Sequence, residues 1–205
     1  TTGTFDGDAI GVSPRSISSG AYPSFTALRN LKELSLSIQD ENGSKVSTIG
    51  SFEEFTEDGS PYPFRKNIMS YRNYYYSFEY PFWNSLDNEG NILPDGQYYY
   101  VFTSTLDYEG AEPQETKIPI KVDTVAPVVK NLKVTEQQDG SYKITWDVEE
   151  EGTGYIGSMI WVNGSYKNLR DSKYEYISSV KPEIVMVSSI DASRNVGVGY
   201  VGNEE

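Results

Sequence analysis

Apolar residues in this chain recur at every second position, in short runs cut off by Gly, Asn, Asp and Pro, and a period of two belongs to strands. Leu34, Leu36 and Ile38 alternate with Glu33, Ser35 and Ser37. The sequence Asp40-Glu41-Asn42-Gly43 then leads into Lys45–Ile49, a hairpin signal because Asn-Gly suits the positive φ of a tight turn. An aromatic strand is predicted from Tyr74 to Trp83. Another runs from Gln97 to Leu106, with Tyr98, Tyr100 and Phe102 on one face and Tyr99, Val101 and Thr103 on the other. Ile118, Ile120 and Val122 alternate in a strand that Pro119 places at a sheet edge. Residues 1–30 and 50–73 read as long loops. No stretch of a dozen residues keeps a helical apolar period.

The strand pattern stops at Asp123-Thr124-Val125-Ala126-Pro127 and then restarts, so the domain boundary is placed there. Downstream come Leu132 and Val134, then Tyr142–Val148, Met159–Val162, Tyr174–Ile177, Ile184–Ile190 and Val196–Val201. Turn residues stand at Asp139-Gly140, Asn163-Gly164 and Arg194-Asn195. About seven short strands in ~80 residues is the spacing of a small Greek-key sandwich, with Trp146 as its core tryptophan. The fold class that follows is all-β: two consecutive β-sandwiches of the fibronectin-III or immunoglobulin kind. Residues 1–122 form the first, with long loop insertions, and residues 123–205 form the smaller second.

Composition narrows the chemistry. A formal charge of -13, with both halves acidic and the basic residues scattered, leaves nothing to attract a phosphate backbone or an anionic membrane. Neither nucleic acid nor membrane insertion is expected. Cysteine is absent, which removes disulfides, thiolate nucleophiles and Cys-based metal sites. Histidine is absent too, and with it every Ser-His or Cys-His arrangement in this chain. Thr1 to Asp8 has neither the basic start nor the apolar stretch of a signal peptide, and the chain reads as an internal segment of a longer protein.

Oxygen ligands concentrate at Asp87, Glu89, Asn91 and Asp95, and a hard cation such as Ca²⁺ takes six to eight of these. The spacing does not match an EF-hand, so a polar hairpin loop shaped by Gly90, Pro94 and Gly96 is the preferred reading and calcium the alternative. No other cofactor is expected. Glu149-Glu150-Glu151-Gly152 reads as a solvated acidic turn, and Asp191-Ala192-Ser193-Arg194-Asn195 as a turn whose Asp and Asn bond their own backbone. Asn42-Gly43-Ser44 and Asn163-Gly164-Ser165 match the N-glycosylation triplet but serve as turns. Tyr71, Tyr74, Tyr75, Tyr76, Tyr80, Phe82 and Trp83 are too many for one core. Consecutive tyrosines such as Tyr98 to Tyr100 face both sides of a sheet, so an exposed tyrosine face is expected.

Three segments carry a family resemblance: LPDGQYYYVFTSTLDYEGAEPQETKIPIKVDTVAPVV from Leu93, KNLKVTEQQDGSYKITWDV after it, and SSIDASRNVGVGY from Ser188. Together, over about residues 84 to 200, they resemble the C-terminal fibronectin-III-like region of Gram-positive cell-envelope serine proteinases, the lactocepin family. The most specific element is the pairing of LPDG-x-Y-x-Y with a following PIKVDT-x-AP. The resemblance implies a non-catalytic, extracellular, wall-associated module within a parent polypeptide whose subtilisin-like domain lies N-terminal to it. The expectation is a monomer whose role is that of a spacer, with protein substrate or cell-wall glycan as the expected partner. The competing expectation is a module of a surface adhesin or polysaccharide-processing enzyme, which binds a glycan or a protein through tyrosine-rich strands or long loops.

Overall fold

In a computed structural model, residues 9–16, 20–21, 26–27, 31–51, 69–70, 83–170 and 174–202 are described. They are all strand, turn and loop, and their sheets are arranged in the manner of sandwiches. Among them no helix is long and apolar enough to cross a membrane. Two compact units emerge, one of Thr1–Pro14 with Ser19–Val122 and one of Arg15–Ser18 with Asp123–Glu205.

The first unit contains β1 (Ile10–Val12), β2 (Thr26–Ala27), β3 (Leu31–Asp40), β4 (Lys45–Ser51), β5 (Met69–Ser70), β6 (Gly96–Leu106) and β7 (Gln114–Val122). Five of them form one sheet in the order β1-β7-β6-β3-β4, while β2 pairs with β5. The alternation seen in the sequence sorts side chains between faces: Leu34, Leu36, Ile38, Tyr98, Tyr100, Phe102, Ile120 and Val122 share one buried cluster. Trp83 joins that cluster, its indole N–H donating to the Leu86 carbonyl at 2.7 Å. The β3–β4 turn forms as predicted, with Gly43 at φ 82° and the Asp40 carboxylate accepting the Asn42 and Ser44 N–H groups at 2.9 and 2.7 Å.

Three local expectations change. β7 is not an edge strand along its whole length, because β1 pairs in parallel with Ile120–Val122; Pro119, which lacks an N–H, stands just before the covered stretch. Trp83 sits in an isolated bridge to Ala21 rather than at the end of a strand, and the rest of the predicted Tyr74–Trp83 strand lies outside the described residues. Tyr99 is half-buried, with the Lys117 ammonium 5.8 Å from its ring centre, so this face of β6 is not an open tyrosine surface.

The second unit is a two-layer sandwich. One layer, β11-β10-β13-β14, is built from β10 (Tyr155–Val162), β11 (Ser165–Arg170), β13 (Ile184–Asp191) and β14 (Val196–Gly202). The other, β12-β9-β8, is built from β8 (Val128–Glu136), β9 (Tyr142–Glu149) and β12 (Glu175–Ser178). Between them lie Ile144, Trp146, Ile160, Val185 and Val187, with Trp146 at the centre as the sequence indicated. The chain entering β8 approaches β14 so closely that a Cβ on Gly197 would fall 1.6 Å from the Pro127 carbonyl oxygen.

Candidate functional site

Three loops at one end of the second unit bring acidic side chains together. Asp123 opens the unit, Glu150 follows β9 and Asp191 ends β13, and one carboxylate oxygen of each lies within 4.8 Å of the others. Asp123 and Asp191 are 3% and 0% exposed; Glu150 is half-buried.

Local chemistry explains each placement. Asp123 Oδ1 accepts the Val125 N–H at 2.9 Å and so turns the chain toward Pro127. Its Oδ2 accepts the Thr153 N–H at 2.7 Å and the Thr153 hydroxyl at 3.0 Å. Gly152 makes that approach feasible, since a Cβ there would stand 1.9 Å from Asp123 Oδ2. Asp191 Oδ1 accepts the Asn195 N–H at 2.8 Å and Oδ2 the Asn195 side-chain amide at 2.7 Å. That amide also donates to the Asp123 and Val125 carbonyls at 2.9 and 3.3 Å, tying two of the loops together. The turn closes through Arg194, at φ 70° in the left-handed region. Glu150 Oε1 accepts the Gly152 and Gly154 N–H groups at 2.7 and 3.4 Å. Its Oε2 is buried and has no hydrogen-bond partner.

Burial pushes the Glu150 carboxyl above its ordinary range, opposed by the Gly152 and Gly154 N–H groups and reinforced by the negative charges of Asp191 and Asp123. Burial also raises Asp191, against the hydrogen bonds from Asn195. This is a set of hard oxygen donors with no imidazole, thiol or amine among them. Such a set of hard oxygens matches what a hard cation takes as ligands.

The residues singled out in the sequence are placed differently. Asp87 Oδ1 accepts the Glu89 and Asn91 N–H groups at 2.9 and 2.8 Å, and its Oδ2 accepts the Asn91 amide at 3.0 Å. These bonds, the Asn91 amide first, hold its carboxyl below the usual range. Asn91 also reaches Glu89 Oε2 at 3.3 Å, while Asp95 is exposed on the approach to β6. Among the described residues, the acidic trio within reach of a single ion is Asp123, Glu150 and Asp191, not Asp87, Glu89 and Asp95. Of the aromatic group, Tyr71, Tyr74, Tyr75, Tyr76, Tyr80 and Phe82 lie outside the described residues, and Trp83 is buried. Exposed tyrosines among the described residues are Tyr108 in the first unit and Tyr166, Tyr174 and Tyr200 in the second. Tyr166, Trp161, Met186 and Tyr200 form one cross-strand row on β11-β10-β13-β14, with Tyr166 and Tyr200 at 65% and 63% exposure. Beside Tyr166 opens a cleft of about 360 Å³ lined by Ile160, Val162, Asn163, Tyr176 and Val180.

No family model matches the chain. Over 135 residues it is 27% identical to a PI-type proteinase of Lactococcus lactis subsp. cremoris, covering 62% of this chain and 7% of that protein. This is the similarity expected from the resemblance to cell-envelope serine proteinases. Among solved structures, the fibronectin(III)-like modules of Clostridium thermocellum CbhA align with 95% of this chain and 87% of theirs, at 12% identity and a TM-score of 0.44. The FN1–FN3 domains of chicken CNTN1 align with 100% of this chain and 65% of theirs, at 10% identity and a TM-score of 0.41. The all-β assignment therefore stands on the strands and their pairing, described above, rather than on these overlaps.

Proposed function

We propose that this chain is a non-catalytic accessory region of an extracellular, wall-associated serine proteinase, a spacer that positions the catalytic domain and helps present protein substrate to it. The observation that carries this reading is the similarity over 135 residues to a small part, 7%, of a PI-type proteinase. A sequence without histidine supports it, since the proteolytic machinery must then lie elsewhere in the polypeptide. Reach and packing are its contribution, and the two sandwich-like units suit that role. The test is to replace residues 1–205 in the parent polypeptide by a flexible linker of equal length. Cleavage of a short chromogenic peptide should persist, while cleavage of a large protein by intact cells should fall. Unchanged cleavage of both substrates would overturn the reading.

A second reading rests on the aromatic row of Tyr166, Trp161 and Tyr200 and on the neighbouring cleft. Exposed aromatic rings on a sheet face suit stacking against sugar rings or apolar side chains. This reading makes the second unit a glycan- or protein-binding module. A glycan and peptide array probed with the isolated chain separates the two. Specific retention that is lost with Trp161→Ala favours binding, and an empty array favours the spacer.

A further inference from the structure

We propose that Asp123, Glu150 and Asp191 bind one calcium ion at the end of the second unit. Three carboxylates within 4.8 Å of one another, two of them almost wholly buried, form a concentration of negative charge that a low-dielectric site does not hold without a counter-charge. The protein supplies N–H and hydroxyl donors to Asp123, Asp191 and Glu150 Oε1. It supplies none to Glu150 Oε2, which is buried without a hydrogen-bond partner. Protonation of Glu150 beside the carboxylates of Asp123 and Asp191 is the competing way to relieve that charge, and a calcium titration decides between the two. Lys130–Glu149 and Lys143–Glu175, two ion pairs among the described residues, use other carboxylates, and the charges of Asp191 and Asp123 act on Glu150. A cation bonded to Oε2 answers both needs at once.

The donor set selects the ion. All three ligands are hard oxygens, which removes the nitrogen and sulfur preferences of zinc and copper. Ca²⁺ binds six to eight oxygens at about 2.3–2.6 Å in adaptable geometry, and loop oxygens at these separations suit it, water completing the shell. Mg²⁺ demands near-octahedral bonds of about 2.0–2.1 Å and gives up its water reluctantly.

The experiment is a calcium titration of the full chain, first stripped with chelator and labelled with ¹⁵N. One calcium should bind per chain, shifting the amides of Gly152, Thr153, Gly154 and Asn195, and it should raise the melting temperature. Glu150→Gln should weaken binding about tenfold or more, by analogy with the loss of metal-site partners, while Asp87→Asn should leave it unchanged. An absence of shifts at millimolar calcium would overturn the site. So would shifts confined to Asp87–Asn91, or a folded Glu150→Gln variant that binds as tightly as the parent. Equal responses to magnesium would overturn the choice of ion. Should Glu150→Gln fail to fold, the amide map of the unsubstituted chain still decides.

Discussion

Trp146 fills the centre of the second core with its indole N–H lacking an acceptor, so its ring stabilises by packing while its nitrogen is a defect. Trp146→Ala should therefore cost ~3–5 kcal/mol, as large core truncations do. Trp146→Phe should cost clearly less, because it keeps an aromatic ring and deletes the unsatisfied donor. Hydrogen exchange of the β9 amides resolves the two, and equal losses would show that the nitrogen is satisfied in solution. A second residue tests electrostatics at the opposite extreme of exposure. Asp139, in the β8–β9 turn, accepts the Ser141 hydroxyl at 2.7 Å and the Ser141 N–H at 2.9 Å, and these bonds lower its carboxyl below the usual range. A depressed folded-state value means stability that is present above the unfolded-state value and is lost as pH falls through the folded one. An NMR titration of the Asp139 carboxyl should have its midpoint below that of an unstructured aspartate, and Ser141→Ala should move it up. A midpoint unmoved by that substitution would refute the cause.

At the scale of the element, β14 shows how one strand serves two environments. Val196, Val198 and Tyr200 stand exposed, while Gly197 and Gly199 alternate with them beneath β8. The absent side chains are the reason β8 can pass: a Cβ on Gly199 would lie 2.5 Å from Val129 Cγ1, and one on Gly197 nearer still to the Pro127 carbonyl. Backbone cannot rotate away as a flexible side chain can. Gly197→Ala should thus destabilise the second unit by about 1–3 kcal/mol, the usual range for overpacking, or by more. Thermal melting would check it, and an unchanged midpoint would mean that β8 and β14 lie farther apart than described. β11 teaches a different lesson. Ser-Tyr-Lys-Asn-Leu-Arg carries no apolar alternation, because an edge strand with an exposed face has little to bury, and it escaped the sequence reading although its Asn163-Gly164 turn did not.

For the molecule as a whole, we expect residues 123–205 to fold without the rest. Their core of Ile144, Trp146, Ile160, Val185 and Val187 is assembled from their own two layers, and their loops are tied by Asn195 to Asp123 and Val125. Expressed alone, that segment should melt in one cooperative transition. An aggregating, unfolded product would show that Arg15–Ser18, which group with this unit, or residues beyond them are required.

What the sequence determined by itself is local. Alternation in β3 and β6, the Asn42-Gly43 and Asp139-Gly140 turns, and Trp146 between polar neighbours were legible because strand period and turn geometry depend on adjacent residues. The sequence also determined, through the absence of histidine, that no Ser-His pair operates within this chain. The acidic trio was not legible. Asp123 read as part of a joint and Asp191 as a turn residue, while Glu150 read as one of three solvated glutamates and is instead half-buried with one carboxylate oxygen fully covered. Only the tertiary structure made them neighbours, by stacking the sheets so that loops far apart in the chain meet at one end. It also chose Glu150 over its neighbours: Glu149 pairs with Lys130 and Glu151 faces solvent, while Gly152 lets Asp123 press against the turn that carries Glu150 inward. That choice depends on a side chain fitting where a Cβ would collide, a contact between distant residues that no local pattern encodes.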